Sequence, residues 1–381
     1  MLFSYHNPTR ILFGQGQIAA LAQLVEPGAR VLLLYGGGSI KKNGVYDQVI
    51  RALAGRAWWE FSGVEPNPHM ETLDKAVALV REHKVDLILA VGGGSVIDGA
   101  KYVAAAALYD GDGWDIPTRR HTVRRAVPLG AVLTLPATGS ESNTGAVITR
   151  AATGEKLPFL SPAVQPRFAV LDPDTMKTLP ERQLANGIID SFVHVCEQYL
   201  TRPTGALVQD GYSEALLRAL AALAGSFAGR DDDLWRANLM WAANQALNGL
   251  VGLGVPQDWA THMIGHEITA RHGLDHAVTL AIVQPALLRV RLEAKRAKLE
   301  QMGRTVFALE PGADLAERTI AAIEALYRSL GVPTRLSAAG VAGPDAPGRL
   351  VQALERHGMT ALGEDGAITP EVARAILTQA L

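Results

Sequence analysis

Residues 87–104 read LILAVGGGSVIDGAKYVA, and this stretch decides the fold class. Its first five residues are apolar and run directly into three glycines, a pattern typical of a β-strand that is buried on both faces. After the glycines, apolar and small side chains recur at helical spacing, at Val96, Ile97, Ala100, Val103 and Ala104. A buried strand, a glycine turn and a helix in succession predict a βαβ unit of a parallel sheet.

Three further apolar runs repeat this pattern before residue 175. Residues 31–34 lead into GGGS at 36–39, residues 132–135 lead into PATGS at 136–140, and residues 168–171 end at Asp172-Pro173. Residues 72–83, between two of the apolar runs, carry apolar side chains at helical spacing. We therefore predict a Rossmann-like α/β domain with a parallel sheet over residues 1–175.

The sequence after residue 175 shows helical patterns only. Apolar side chains recur at helical spacing over residues 178–200, 206–228, 234–250 and 315–330, and a last helix begins at Thr369-Pro370-Glu371. We therefore predict an all-α domain over residues 176–381, and the change in pattern near residue 175 marks the boundary between the two domains.

The composition excludes several classes of protein. Apolar residues make up 48% of the 381 residues and charged residues 19%, as in globular proteins with large cores. The net charge of −2 gives no electrostatic footprint for nucleic acid or an anionic membrane. The first thirty residues lack a long apolar run, so we expect neither a signal peptide nor a membrane anchor. Cys196 is the only cysteine, which excludes an intrachain disulfide and fits a reducing, cytoplasmic location.

The small-residue turns at the ends of three strands predict a dinucleotide site. Glycine lets a phosphate approach the backbone closely, and a helix N-terminus offers free N–H groups and the positive end of the helix dipole. The turn Gly93-Gly94-Ser95 opens a helix and is the natural place for a pyrophosphate. Neither a Walker motif nor a G-x-G-x-x-G fingerprint is present, so the prediction depends on the three turns together.

The first of these turns favours NADP(H) over NAD(H). NAD enzymes commonly place a carboxylate on the ribose hydroxyls, whereas the 2′-phosphate of NADP needs small or cationic neighbours. The first turn is Gly37-Gly38-Ser39. Lys41 follows it in the sequence, and no acidic residue occurs between the turn and Asp47. Ser39 and a lysine can hold the phosphate, so we expect NADP(H), with NAD(H) as the alternative.

An acidic residue and a group of histidines predict a metal site in the helical half. Asp190 and His194 are four residues apart, so they share one face of a helix. Imidazole and carboxylate ligands together suit Zn²⁺ or Fe²⁺. Four of the chain's ten histidines fall within one short stretch, at His262, His266, His272 and His276. Spacing leaves open which of these histidines bind the metal. Glu197, seven residues beyond Asp190, can reach the same helix face as Asp190.

Three motifs resemble those of the iron-containing (group III) alcohol dehydrogenases: GGGSVID at 92–98, LPATGSE at 135–141 and HMIGHEITARHGLDH at 262–276. The resemblance extends from PTRILFG at 8–14 to the last helix. Within the family, YGGGSIKK at 35–42 and GVPQDWATH at 254–262 are most similar to the butanol-dehydrogenase-like branch, which includes NADPH-dependent aldehyde reductases. One departure is Ala277, where many members have glycine after the histidine.

The resemblance implies the fold that this family shares with dehydroquinate synthase, and it assigns the site residues. The implied metal ligands are Asp190, His194, His262 and His276. His266 then lies near the nicotinamide, where either this side chain or a bound water relays the proton, and Lys156 matches the family's lysine near the cofactor ribose. The implied contacts to the nucleotide are Gly37, Gly38, Ser39, Gly93, Gly94, Ser95, Asp98, Thr138 and Ser140.

Together these features predict a metal-dependent, NADP(H)-linked alcohol dehydrogenase or aldehyde reductase. Hydride would pass between the nicotinamide and a metal-polarised carbonyl of a small aldehyde, or in reverse from a primary alcohol. The expected ion is Fe²⁺ or Zn²⁺, although the ligand set also accepts Co²⁺ and Mn²⁺. The family resemblance further implies a homodimer.

Three alternatives stay open at this stage. A polyol dehydrogenase of the glycerol type is a near relative of the predicted enzyme. A dehydroquinate-synthase-like lyase would need several basic residues for its anionic substrate, whereas residues 244–277 contain one arginine and no lysine. A nucleotide-binding sensor would hold a structural metal with a closed set of ligands.

Overall fold

The computed structural model describes residues 2–341, 343 and 345–381. The chain forms two compact units. The first comprises His6–Pro180 together with Asp231–Asn244, and the second comprises residues 2–5, Glu181–Arg230 and Gln245–Leu381.

A six-stranded parallel sheet forms the centre of the first unit. Its strands are β1 (Arg10–Phe13), β2 (Arg30–Tyr35), β3 (Ala57–Phe61), β4 (Leu87–Gly93), β5 (Leu129–Leu135) and β8 (Phe168–Leu171). They lie in the order β1-β8-β5-β4-β2-β3, and all neighbours run parallel. Two further strands, β6 (Gly145–Arg150) and β7 (Glu155–Leu160), form a separate antiparallel hairpin. The parallel sheet confirms the predicted α/β architecture.

The central strands are buried because their apolar runs lack polar alternation. All four residues of β8 are buried, as are the first six residues of β4. Leu89 and Val132 are fully shielded from solvent in adjacent strands. Continuous burial of this kind occurs when helices cover both faces of a sheet.

Helices surround this sheet within the first unit. They are α1 (Leu21–Leu24), α2 (Ser39–Lys42), α3 (Val45–Ala52), α4 (Met70–Glu82), α5 (Gly94–Ala106) and most of α8 (Asp233–Ala246). The predicted helix over residues 72–83 corresponds to α4, and the helix after the glycine turn at 92–94 corresponds to α5.

Three neighbouring strands bring the predicted turns together. β5, β4 and β2 are adjacent in the sheet, with Tyr35 opposite Val91 and Gly93 opposite Leu135. Parallel strands all end at the same edge of a sheet, so the turns at 36–39, 93–95 and 136–140 lie side by side.

The second unit is helical. Its helices are α6 (Glu181–Tyr199), α7 (Leu207–Gly225), α9 (Ala260–His272), α10 (His276–Val290), α11 (Leu292–Thr305), α12 (Leu315–Ser329), α13 (Ala346–Arg356) and α14 (Pro370–Gln379). Its described residues form no β-structure apart from an isolated bridge between Leu362 and Ile368. The helical second half confirms the predicted fold class.

The main difference from the predicted helices concerns residues 234–250. The corresponding helix α8 ends at Ala246. Gly249 and Gly254 both adopt a left-handed backbone conformation, which is incompatible with a right-handed α-helix. Residues 247–259 therefore form a non-helical connection that leads directly into α9. No helix in the described part of the chain combines the length and apolar composition needed to span a bilayer.

Candidate active site

Three helices of the second unit bring four predicted metal ligands together. Asp190 and His194 lie one turn apart on the buried part of α6, His262 lies in the first turn of α9, and His276 is the first residue of α10. The Asp190 Oδ1 atom lies 3.6 Å from His194 Nε2, 3.7 Å from His262 Nε2 and 3.7 Å from His276 Nε2. The ligand atoms of Asp190, His194 and His262 all lie within 4.8 Å of one another, and His276 Nε2 approaches the same oxygen of Asp190.

The spacing of these atoms fits a divalent cation. Atoms bound at roughly 2.1 Å to one tetrahedral ion lie about 3.4 Å apart, close to the separations from Asp190. Within the described chain, the buried Asp190 Oδ1 and His262 Nε2 atoms have no hydrogen-bond partner, a costly condition that a shared cation relieves. Three imidazoles with one carboxylate form a donor set that both Fe²⁺ and Zn²⁺ accept. The residues present therefore fit a metal.

The electrostatics of the cluster favour positive charge at its centre. Burial alone would raise the pKa of the Asp190 carboxyl, but the imidazoles of His194, His276 and His262 hold that pKa well below its usual range. Burial alone would lower the pKa of His262, but the carboxylates of Glu197 and Asp190 raise it above the usual value. The same carboxylates that stabilise a proton here stabilise a metal cation.

Contacts to α6 fix the start of α10. Asp275, immediately before His276, accepts a hydrogen bond from Asn186 Nδ2 on α6 at 2.9 Å. The same carboxylate forms an ion pair of 3.0 Å with Arg182, also on α6. Because α6 also carries Asp190 and His194, these contacts fix His276 relative to both.

Glu197 lies behind His262. It is buried on α6, two turns beyond Asp190, and its Oε2 atom forms a hydrogen bond with His262 Nδ1. Its Oε1 atom accepts the backbone N–H of Thr261 at 2.7 Å. The sequence placed Glu197 on the correct helix face through its seven-residue spacing from Asp190, but gave no sign of its histidine partner.

The structure separates the four histidines that spacing alone could not distinguish. His262 and His276 face Asp190, as described above. His266 is buried beside them, with its ring centroid 5.1 Å from that of His276 and 6.2 Å from that of His262. His272 is exposed at the end of α9.

Trp259 borders the cluster in an unusual backbone conformation. Its φ of 60° lies in the left-handed region, which is rare for a large side chain and often marks a functional segment. Its ring lies 5.4 Å from that of His262 and 6.2 Å from that of His194, measured between centroids. The indole therefore forms an aromatic wall beside two of the predicted metal ligands.

In the first unit, close packing joins the predicted turns on β4 and β5. Gly93 ends β4, Gly94 begins α5 and Ser95 lies in the first turn of this helix. A Cβ atom on Gly94 would collide with the side chain of Thr138. Only glycine fits at this position, and the free N–H groups of the α5 N-terminus are available to an anion.

Asp98 and Ser140 form a bridge beneath these turns. Asp98 is half-buried on α5, and the removal of water around it raises the pKa of its carboxyl. The carboxylate accepts hydrogen bonds from Ser140 Oγ at 2.6 Å and from the backbone N–H of Val147 at 2.9 Å. Asp98 thus ties α5 to the turn after β5 and to β6.

Lys156, the predicted lysine near the cofactor ribose, lies on β7 and donates a hydrogen bond to Asn67 Oδ1 at 2.8 Å.

At the first turn, which follows β2, Gly37 and Gly38 precede Ser39, the first residue of α2, and Gly38 adopts a φ of 90°. Lys41 on α2 pairs with Glu60 on β3, with 3.4 Å between the Nζ atom and the carboxylate. Glu60 was not predicted to lie here, because the prediction rested on the residues between the turn and Asp47, and Glu60 comes later in the chain. The parallel pairing of β3 with β2 brings Glu60 to the same region.

Comparisons with known proteins agree with this arrangement in both halves of the chain. Residues 8–173 match the family described as iron-containing alcohol dehydrogenase. Residues 184–365 match the C-terminal part of the Fe-containing alcohol dehydrogenase family. The chain belongs to the iron-containing alcohol dehydrogenases. This membership confirms the predicted family and the prediction that the chain is an oxidoreductase.

Relatives of this iron-containing alcohol dehydrogenase match over nearly its whole length. It is 55% identical to the NADPH-dependent aldehyde reductase YqhD of Escherichia coli, with 98% of each chain covered. It is 43% identical to a probable NADH-dependent butanol dehydrogenase of Bacillus subtilis, with 88% of this chain and 89% of the relative covered. A crystal structure of E. coli YqhD superposes with a TM-score of 0.97 at 53% identity, covering 100% of this chain and 99% of the other.

Proposed function

We propose that this iron-containing alcohol dehydrogenase is a metal-dependent, NADP(H)-linked reductase of small aldehydes that also oxidises the corresponding primary alcohols. The observation that carries the proposal is the convergence of Asp190 Oδ1 with the Nε2 atoms of three histidines. The 55% identity to an NADPH-dependent aldehyde reductase supports the choice of substrate and cofactor.

The proposed metal ligands are Asp190, His194, His262 and His276, and the proposed ion is Fe²⁺ or Zn²⁺. When bound, the cation supplies Lewis-acid polarisation of the substrate carbonyl, and NADPH supplies the hydride. Asp190 contributes one negative charge among neutral imidazoles and so partly compensates the charge of the ion. The burial of Asp190, His194 and His262 lowers the local dielectric constant, which strengthens every electrostatic interaction in the site.

The proposed dinucleotide site uses the three adjacent turns of the first unit. Gly93, Gly94 and Ser95 let the pyrophosphate approach the N-terminus of α5, whose dipole favours the negative charge. Gly37 and Gly38 keep the first turn open, while Ser39 and Lys41 bind the 2′-phosphate. Further proposed contacts come from Asp98, Thr138, Ser140 and Lys156.

We propose His266 as the proton relay to the product oxygen. It is buried and its ring adjoins those of His262 and His276. Neutral imidazole both accepts and donates a proton near neutral pH, which suits it to this step. A bound water is the alternative donor, and substitution of His266 distinguishes the two.

We further propose that residues 1–175 act as the dinucleotide-binding domain and residues 176–381 as the metal-binding domain of a cytoplasmic homodimer. The proposed location is supported by the single cysteine of the chain, which fits a reducing compartment. The proposed homodimer follows from the family resemblance, and light scattering after gel filtration measures the mass in solution directly.

The direct test of the reaction is the loss of NADPH absorbance in the presence of butanal, with NADH in a parallel assay. We expect turnover that requires the aldehyde and that has a higher kcat/KM with NADPH than with NADH. A fully metallated protein that consumes neither cofactor with several small aldehydes would overturn the proposal.

A further inference from the structure

The carboxylate of Glu197 is held by two hydrogen bonds inside the second unit. Only 4% of the residue is exposed. Its Oε1 atom accepts the N–H of Thr261, and its Oε2 atom contacts Nδ1 of His262. Because one oxygen is held by the backbone of the residue before His262, the carboxylate and the imidazole ring cannot turn independently of each other.

This contact determines which nitrogen of His262 carries the proton. A carboxylate only accepts hydrogen bonds, so Nδ1 of a neutral His262 must be the protonated nitrogen. The lone pair is then on Nε2, the atom that lies 3.7 Å from Asp190 Oδ1. We propose that Glu197 is a positioning residue that fixes the tautomer and ring orientation of His262 for metal binding. This inference rests on the metal site proposed above.

Glu197 also joins two helices that each supply metal ligands. Asp190 and His194 have a fixed separation because they share α6, whereas His262 comes from α9. Glu197 belongs to α6 and contacts the first turn of α9, so it fixes the distance between the two sets of ligands. The hydrogen bond between Asn186 on α6 and Asp275 fixes His276 on α10 relative to α6 in the same way.

A buried hydrogen-bond network supports the contact between Glu197 on α6 and the first turn of α9. The backbone oxygen of Glu197 accepts the N–H of Asp258 at 2.8 Å, and Asp258 Oδ1 accepts the N–H of Ala260 at 3.0 Å. Lys295 Nζ lies 2.8 Å from Asp258 Oδ2 and donates to the backbone oxygen of Leu200 at 2.7 Å. The turn before α9 is therefore fixed to the end of α6 at several points.

The sharpest variant is Glu197→Gln, which keeps the shape of the side chain. Its carboxamide has one oxygen and one NH₂ group, and both neighbouring groups, Thr261 N–H and His262 Nδ1–H, are donors. Either the amide opposes a donor with a donor, or His262 moves its proton to Nε2 and loses the lone pair that binds the metal. Loss of a carboxylate behind a ligating histidine typically weakens metal affinity by roughly 10–100-fold.

Glu267→Gln is the matched control. Like Glu197, Glu267 is a buried carboxylate, and it lies on α9. Its Oε1 atom lies 2.5 Å from Nδ1 of His357, which is not among the proposed ligands. The control variant loses the same kind of carboxylate–histidine pair on α9, the helix that carries His262, but leaves the Glu197–His262 contact untouched. It separates a general loss of stability from a specific effect on the metal.

The experiment measures the Zn²⁺ affinity of the full chain by competition with a chromophoric chelator, together with the Tm of the metal-free protein. We expect Glu197→Gln to bind Zn²⁺ roughly 10–100-fold more weakly than wild type, and Glu267→Gln to bind with unchanged affinity. Equal Zn²⁺ affinity in Glu197→Gln and wild type would overturn the inference and leave the metal site standing. A wild-type protein that binds no Zn²⁺ or Fe²⁺ would overturn the proposed function itself.

A second measurement needs no Glu197 variant, in case Glu197→Gln does not fold. Nitrogen NMR of Zn²⁺-loaded wild-type protein with labelled histidines reports the proton and the metal on each ring. Comparison of metal-free wild type with metal-free His262→Gln identifies the His262 signals, which are then followed as Zn²⁺ is added to wild type. We expect the proton on Nδ1 and Zn²⁺ on Nε2. Zn²⁺ on Nδ1, or a deprotonated Nδ1, would contradict the proposed role of Glu197.

Discussion

Lys41 Nζ on α2 lies 3.4 Å from the carboxylate of Glu60 on β3. Lys41 follows the first turn of the proposed dinucleotide site by two residues. Glu60 also accepts hydrogen bonds from the hydroxyls of Tyr35 at 3.2 Å and Tyr46 at 2.9 Å. Burial alone would raise the pKa of Glu60, but the hydrogen bonds from Tyr46 and Lys41 lower it below its usual value. The carboxylate is therefore ionised at neutral pH and competes with any phosphate for Lys41.

Glu60→Gln should strengthen the binding of NADPH because it removes this competing charge. The pair is exposed to solvent, so we expect a modest decrease in the Kd for NADPH, by roughly two- to five-fold at low salt. The Kd for NADH, which has no 2′-phosphate, should stay the same. Fluorescence titration of both cofactors measures the effect.

The control for this prediction is Glu82→Gln, which removes the same charge from an exposed position on α4. It should leave both Kd values unchanged. Equal tightening of NADPH and NADH in Glu60→Gln would show that Lys41 does not bind the 2′-phosphate.

Gly94→Ala should destabilise the first unit and impair dinucleotide binding. The added Cβ collides with Thr138 at the start of α5, and such overpacking typically costs about 1–3 kcal/mol. Gly37→Ala is the matched variant, because a Cβ there meets no atom within 4 Å and the backbone is outside the left-handed region. Thermal unfolding without cofactor should show a lower Tm for Gly94→Ala and no decrease for Gly37→Ala. An unchanged Tm in Gly94→Ala would contradict the close contact with Thr138.

His266→Ala should lower kcat while the protein retains its metal. A positioned general acid contributes typically 10²–10⁴-fold to a rate, so a loss of about 100-fold is expected if His266 relays the proton. The KM for NADPH and the metal content measured by elemental analysis should both stay close to wild type. A variant with wild-type kcat would assign the proton to bound water instead.

Stability should rise with pH above about 8 because of Lys101. Burial lowers the pKa of this amine from 10.5 to about 8, against the opposing charges of Asp98 and Glu141. Between these pH values the folded amine is neutral while the unfolded amine is still protonated. Unfolding then takes up a proton, so the free energy of unfolding increases with pH by at most about 1.4 kcal/mol per unit.

The comparison for this prediction is Lys101→Met, which has a side chain of similar length without the charge. Chemical unfolding from pH 7 to pH 10.5 should show wild type gaining stability relative to the variant above pH 8. Parallel curves for the two proteins would show that the Lys101 amine titrates normally in the folded state.

The sequence predicts the sheet well where the apolar runs are continuous. The run at residues 168–171 corresponds to β8, and the runs at 31–34 and 87–91 lie within β2 and β4. These strands are buried on both faces, so their local pattern and their environment agree. The edge strands β1 and β3 and the β6–β7 hairpin are not predicted, because exposed or half-buried residues interrupt their buried pattern.

The candidate site could be predicted only in part for a similar reason. Asp190 and His194 share a helix, so their spacing alone reveals their shared face. His276 lies at the start of a different helix, and its approach to Asp190 depends on how α10 packs against α6. The pairing of Glu60 with Lys41 depends in the same way on a parallel strand contact. Local pattern does not encode such contacts between distant segments, although the family resemblance supplied the ligand set as a hypothesis.

The central claim is that one divalent cation held by Asp190 and its three histidines is required for aldehyde reduction. The most direct test removes the metal with a chelator and then measures butanal reduction by NADPH as Fe²⁺ or Zn²⁺ is added back, in wild type and in Asp190→Ala. We predict that the metal-free protein is inactive, that activity returns and saturates at one ion per chain, and that Asp190→Ala neither retains the ion nor regains activity. Full activity in metal-free wild type, or a full metal complement in Asp190→Ala, would contradict the account.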